Sequence, residues 1–227
     1  YDNDIDVSNI VNGKPVYYWI GRIGMTVPNE AGYVALICCR EMTVENLDLA
    51  NNAQSILLAF TDHSTVTNNT VTNNMHGVEL VSSICNHIRG NNLANNRDGL
   101  HFQNSGNNSI YRNNITKNKG YSGWKTDRGI YLESSSSNNI HSNHITGLEA
   151  GILLYRSLNN IVHTNKITNN GEGVGLSYGS SNNEIYANSI TSSNNTGVHI
   201  WVDSDSNIIR ENEISKNIIG LYLELYG

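Results

Sequence analysis

Charge is sparse in this chain, and no stretch of it is basic. Lys, Arg, Asp and Glu make up 15% of 227 residues, the formal net charge is −6, and no block of Lys or Arg occurs. Nucleic acid, which is held largely through its phosphate charge, is therefore not an expected partner. No apolar run approaches the ~20 residues of a membrane-spanning helix, so no transmembrane segment is expected. There are three cysteines, Cys38, Cys39 and Cys85, with no CxxC pair and no metal-ligand spacing. Their odd number argues against a disulfide framework. They read as small fillers of a turn or core edge. No signal peptide is visible, but the chain opens at Tyr1 without Met, so a signal can have been cut away or left out.

What is abundant is asparagine, at 38 residues. Such a bias marks either a disordered tract or a chain with many turns, where Asn tolerates the left-handed region. Regular apolar spacing decides for turns. The pattern Gly-apolar-any-apolar recurs at Gly77, Gly99, Gly129, Gly151, Gly173, Gly197 and Gly220, in steps of 22, 30, 22, 22, 24 and 23 residues. Two copies without the glycine precede them, at Tyr33 and Ser55. A second pattern, apolar-x-x-Asn-x-apolar, places Asn69, Asn91, Asn113, Asn143, Asn165, Asn188 and Asn212 at one point of each copy.

A fixed period in the twenties signifies a solenoid. Apolar and polar residues alternate over three or four positions and then yield to Asn, Ser and Gly, which is strand period. No segment repeats at helical spacing. Three short strands and their turns in about 22 residues make one coil of a parallel β-helix, with about nine coils stacked ~4.8 Å apart. The expected consequences are an Asn ladder at one turn, an inward apolar pair after each glycine, and a glycine kept by a positive φ or by close packing. Residues 1–30 break the period and read as an irregular coil or cap, and 31–227 as the repeats. The step of 30 implies an insertion near 119–128. The chain stops inside a coil, as a fragment of a longer protein would, or one whose coils stack end to end on another copy.

The segments VNGKPVYYW (Val11 to Trp19), VPNEAGYVAL (Val27 to Leu36) and VENLDLANN (Val44 to Asn52), together with the repeats, resemble NosD-like proteins of the pectate-lyase-like superfamily, in particular archaeal surface members. The resemblance implies a right-handed parallel β-helix and an exported protein, whether extracellular, on the cell surface or periplasmic. That superfamily contains polysaccharide lyases, hydrolases and epimerases, and also non-enzymatic glycan-binding and structural domains. NosD itself is associated with supplying copper-site components outside the cytoplasm.

Function in a rod of repeats is sought where repetition fails. The insertion carries Tyr121, Trp124, Asp127 and Arg128 directly ahead of a first strand. The outward positions of the first strands, two and four residues after each glycine, include Glu79, His101, Gln103, Tyr131, Glu133, Tyr155, His199, Trp201 and Glu224. Aromatic rings beside hydrogen-bonding groups suit sugars. Glu79, His101, Gln103, Tyr121, Trp124, Tyr131, Glu133 and Tyr155 are the expected glycan-binding set, although Tyr and Trp also simply favour strands. The leading reading is a polysaccharide-binding module without catalysis. The alternatives are a lyase or hydrolase of acidic glycans using Asp98, His101, Asp127, Arg128 and Glu133, and a structural protein that stacks into a fibre or surface layer. The Arg97-Asp98 and Asp127-Arg128 neighbours also read as surface ion pairs of little energetic weight. No cofactor is called for; calcium and copper are the ions to test. His141 and His163 fall in one column of adjacent coils and are the nearest approach to a metal site. Asn68, Asn107, Asn114 and Asn194 begin Asn-x-Ser/Thr sequons and are the candidate glycosylation sites.

Overall fold

Twenty-two-residue periodicity becomes three parallel sheets that share one core. The computed structural model describes residues 3–117 and 127–224. The first sheet stacks, in chain order, Lys14–Ile20, Tyr33–Ile37, Gln54–Ala59, His76–Val81, Asp98–Gln103, Arg128–Glu133, Ala150–Tyr155, Glu172–Ser177, Thr196–Ile200 and Ile219–Leu223, with Ile10–Val11 antiparallel at its edge. The second and third sheets, of eight strands each, run from Thr43–Glu45 to Ile208–Arg210 and from Asp48–Ala50 to Glu213–Ser215. Each coil therefore crosses all three sheets once, and every neighbour in a sheet comes from the adjacent coil. The fold is all-β, a right-handed parallel β-helix. The expected periodicity holds, and no strand pairing slips across the step of 30: Asp98 pairs with Arg128 and Gln103 with Glu133.

The inward pairs behave as their alternation requires. Val78 and Leu80, Leu100 and Phe102, Ile130 and Leu132, and Ile152 and Leu154 are all fully buried, stacked on their counterparts above and below. Each such side chain contributes roughly 1.5–3 kcal/mol by leaving water. The second and third strands add one inward residue apiece, such as Ile88 and Leu93, to the same core.

The Asn ladder closes the turn between the second and third sheets. Asn113 shows the unit. Its Oδ1 accepts the backbone N–H and the side-chain Nδ2 of Asn91, each at 3.0 Å. Its Nδ2 donates to the Ile88 carbonyl at 2.9 Å and to Asn143 Oδ1 at 3.0 Å. All four hydrogen-bonding positions of the amide are thus filled in a buried site. A second, unanticipated ladder runs through Asn86, Asn108, Asn138, Asn160, Asn183 and Asn207 ahead of the second strands. Beside it the hydroxyls of Ser83, Ser105, Ser135, Ser157 and Ser180 accept from the N–H of the coil below.

Two features of the repeat can now be given their physical cause. The ladder Asn are not the left-handed residues. The residue just before each rung is: Asn68, Gly90, Arg112, Ser142, Thr164, Ala187 and Glu211 all have φ between 52° and 63°. Nor is the recurrent glycine held by a positive φ. A Cβ on Gly99 would lie 2.6 Å from Ile115 Cγ2 and 2.7 Å from the Gly129 carbonyl oxygen, so close packing between coils excludes any side chain.

Replacing Asn113 by Ala leaves the Asn91 N–H buried without a partner and removes one donor from the Ile88 carbonyl. The loss expected from chemical denaturation is at least ~1–3 kcal/mol, whereas Asn114→Ala, one residue away and exposed, should change stability by less than about 0.5 kcal/mol.

Candidate functional site

Parallel register converts single residues into columns, and on the first sheet's outer face the columns bring chemistry together. His101 lies between Glu79 of the preceding coil and Tyr131 of the next. Its Nδ1 is 3.4 Å from Glu79 Oε1 and its Nε2 is 3.6 Å from Glu133 Oε2. Its ring stacks on Tyr131 with centroids 5.0 Å apart and an interplanar angle of 9°. The His76 ring packs on its other side at 4.6 Å.

Asp98 is the buried centre of this cluster, with no exposed surface. Five nitrogens approach its two oxygens. Arg128 donates from Nε at 2.7 Å and Nη2 at 3.1 Å, and Arg97 from Nη2 at 3.0 Å and Nε at 3.3 Å. His76 Nδ1 lies at 2.9 Å. Burial alone would raise the carboxyl's pKa, but the His76 and Arg128 hydrogen bonds and the two guanidinium charges win and hold it at about 2. Glu79 is likewise held below its ordinary value: burial pushes it up, but the His101 hydrogen bond and the nearby histidines prevail.

Arg97 and Asp98 do pair as read, but not at the surface, and the Asp127-Arg128 pair does not form. Asp98 is buried, and Arg128 reaches across the coils to it instead of to Asp127, which is paired with Lys117. Asp98, His101, Arg128 and Glu133 do come together; Asp127 has a different partner. Of the expected glycan set, Glu79, His101, Tyr131 and Glu133 form one cluster. Gln103 stands beside it, paired in register with Val81 and Glu133, and Tyr155 is next to Glu133. Tyr121 and Trp124 lie outside the described residues.

His76, Glu172 and Glu149 were not anticipated. The outward face had been reckoned from positions two and four after glycine. The residue just before glycine also contributes side chains to this face, and the charged column His76, Asp98, Arg128 was the available signal. Glu172, in the same column, points its carboxyl at His199, with Oε1 2.9 Å from Nδ1. Burial raises Glu172 to about 7; a hydrogen bond from Trp201 works against this, and the charge of Glu149 adds to it.

Between His101 and His199 runs a groove of about 470 Å³. Arg128 and Tyr131 border one end, Glu172, His199 and Trp201 the other, with Leu153, Tyr155 and Tyr178 between. Arg128 lies over the Tyr131 ring, 3.6 Å from its centroid.

Two arrangements bear on metals. His141 and His163 are paired in register, but their rings stack at 5.0 Å and 12°. Two nitrogens on one zinc ion lie no more than ~4.2 Å apart, given bonds of ~2.1 Å, so parallel rings at this separation do not converge on one ion. They belong to a ring stack that continues to Tyr111 and Tyr186. His76, Asp98 and His101 place one ligand atom each within 4.8 Å of one another. A carboxylate has about four lone-pair sites, and five nitrogens already surround those of Asp98, so the donor set fits a cation poorly.

The chain belongs to the right-handed β-helix family: the family described as "Right handed beta helix region" matches residues 33–190. No curated protein sequence matches it significantly. Among solved structures it is similar to the periplasmic alginate epimerase AlgG (T265N mutant), at 22% identity and a TM-score of 0.66 over 83% of this chain and 50% of that one. It is also similar to the Dettilon tailspike protein, at 17% identity and a TM-score of 0.71 over 86% and 43%. A third is the DFA-IIIase of Arthrobacter chlorophenolicus A6 (mutant C387A, in complex with DFA-III), at 11% and 0.62 over 78% and 48%. At such identities the likeness establishes the fold alone. The chain spans about half the length of these proteins or less.

The Asp98 network predicts acid sensitivity. Its carboxyl titrates at about 2 when folded against 3.8 ordinarily, so its stabilisation is complete above pH 3.8 and disappears as pH falls through about 2. Asp98→Asn should cost about 3 kcal/mol at neutral pH. The gap between wild type and variant, measured by denaturant titration, should narrow by ~2 kcal/mol between pH 4 and pH 2.

Proposed function

We propose that this protein holds a linear polysaccharide along the outer face of its first sheet, and that it does so outside the cytoplasm. The observation that carries this reading is the groove between His101 and His199, where the rings of Tyr131, Tyr155, Tyr178 and Trp201 alternate with Glu149, Glu172, Ser177 and Asn195. A sugar ring offers apolar faces and hydroxyl edges, and such a lining meets both. The structural relatives supply a consistent background, since an alginate epimerase and an enzyme in complex with DFA-III share the fold. Kinship with the exported NosD-like proteins, suggested by the KPVYYW and AGYVAL segments, is part of the same reading. The four sequon asparagines, Asn68, Asn107, Asn114 and Asn194, are all exposed, as glycosylation of an exported protein would require.

Charge narrows the sugar. Glu79, Glu133, Glu149 and Glu224 border the face or flank its histidines. The guanidiniums of Arg97 and Arg128 are both engaged by Asp98. A polyuronate would meet excess like charge there, so a neutral or amino-bearing glycan fits better.

A second reading, hydrolysis of the bound chain, is favoured by one observation. Burial raises Glu172 to about 7, and the carboxyl of Glu149 lines the same groove. A buried glutamic acid with a second carboxyl nearby suits an acid and a base in glycosidic cleavage.

Calorimetry with cellulose and chitosan oligomers tests the binding reading. Tyr155→Ala should weaken binding by about 1 kcal/mol, a factor of about five, with the melting curve unchanged. Wild-type protein that binds neither oligomer, or a Tyr155 variant with unaltered affinity, contradicts it. Release of new reducing ends, lost in Glu172→Gln while binding persists, would establish hydrolysis.

A further inference from the structure

Two histidine stations, one just beyond the Tyr131 end of the groove and one at its His199 end, are built alike. At one, His101, two residues after Gly99, stacks on Tyr131, and its Nε2 faces Glu133 at 3.6 Å. At the other, His199, two residues after Gly197, stacks on Tyr222 at 4.6 Å, and its Nε2 faces Glu224 at 3.5 Å. The following coil supplies the same segment in both cases, GIYLE at 129–133 and GLYLE at 220–224. A second carboxyl closes each Nδ1 side: Glu79 at 3.4 Å from His101 and Glu172 at 2.9 Å from His199.

Those last two glutamates come from different columns, and Gly175 shows how one replaces the other. Gly175 pairs with His199 as Glu79 pairs with His101. A Cβ there would lie 2.9 Å from Glu172 Oε2. The missing side chain leaves the space that the Glu172 carboxyl fills. Both stations therefore end with a histidine held between two carboxyls and backed by a tyrosine, although the residues reach that state by different routes. Neither ring nitrogen of His101 makes a well-aligned hydrogen bond, and neither does Nε2 of His199. Those nitrogens are enclosed, so a ligand meets each station at its more exposed carboxylate, Glu133 or Glu224.

We propose that the two stations grip one linear amino-bearing or neutral glycan at two places, with the groove bridging them. The proposal rests on the polysaccharide reading above and adds how the chain is held. His101, Tyr131, Leu153, Gly175 and His199 are successive partners across the sheet. Four strand spacings separate the histidines by ~19 Å. A chain long enough to reach both makes the second contact intramolecular, which raises affinity without any new kind of contact.

The test is a calorimetric titration with chitosan oligomers of increasing length, whose amino groups suit the acidic face. Oligomers whose extended length exceeds ~19 Å should bind on the order of 100-fold or more tighter than shorter ones. His101→Asn and His199→Asn should each return the long oligomers to the affinity of the short ones. Glu133→Gln and Glu224→Gln, at more exposed positions, should repeat the effect if a histidine variant proves unstable. Binding with no step in length, or a loss confined to the variants of one station, overturns the two-station proposal and leaves the binding reading standing. Wild-type protein that binds no oligomer of any length refutes both.

Discussion

Coil register in this protein depends on one side-chain interaction, the saturated Asn amide bridging consecutive turns. Backbone pairing alone tolerates slippage, and a slip of one residue would turn each inward apolar residue outward. The buried rung forbids it, because a shifted Asn would strand a backbone N–H, a carbonyl and its own amide in a dry turn. Each orphaned group costs about 1–3 kcal/mol. Two such ladders, at the turns before and after the second sheet, hold the coils from Asn86 to Asn212 at two points. They also sustain a left-handed residue ahead of each rung even where that residue is Thr164 or Ala187, types that do not favour that conformation.

Fixed register is what turns a repetitive sequence into a site. Once columns are exact, a histidine two residues after one glycine must meet whatever stands two residues after the glycines above and below. The cluster around His101 arises in this way from three successive coils. The step of 30 does not disturb it: Asp98 and Arg128 stand on opposite sides of that step in sequence and hydrogen-bond directly. Electrostatics then separate the two stations. The first is organised around an ionised Asp98 anchored by two guanidiniums, the second around Glu172, whose pKa burial raises to about 7.

Much of this was legible in the sequence because solenoid periodicity is a one-dimensional signal. Gly-apolar-any-apolar located the first strands, and the Asn at fixed offset located the turn of the ladder. The outward residues Glu79, His101, Tyr131 and Glu133 followed from strand alternation. Alternation also hid part of the site. His76 and Glu172 precede the glycine, where simple period-two counting turns them inward, yet they contribute to the outer cluster. Partners within the chain were also misjudged, since neighbours in sequence, such as Asp127 and Arg128, suggest pairing that the stacking of coils replaces. The second Asn ladder was visible as a column of residues but lacked the preceding apolar position that marked the first, Ser standing there instead.

The most direct test of the account is a chemical-shift map of the histidine rings during titration with a long chitosan oligomer. Eight histidines are distributed over the surfaces of the rod. The account predicts that His101 and His199, ~19 Å apart on one face, shift together at one midpoint, while His87, His141 and His163 on the second sheet stay fixed. A response centred on the second-sheet ring stack, with His101 and His199 unmoved, would contradict it.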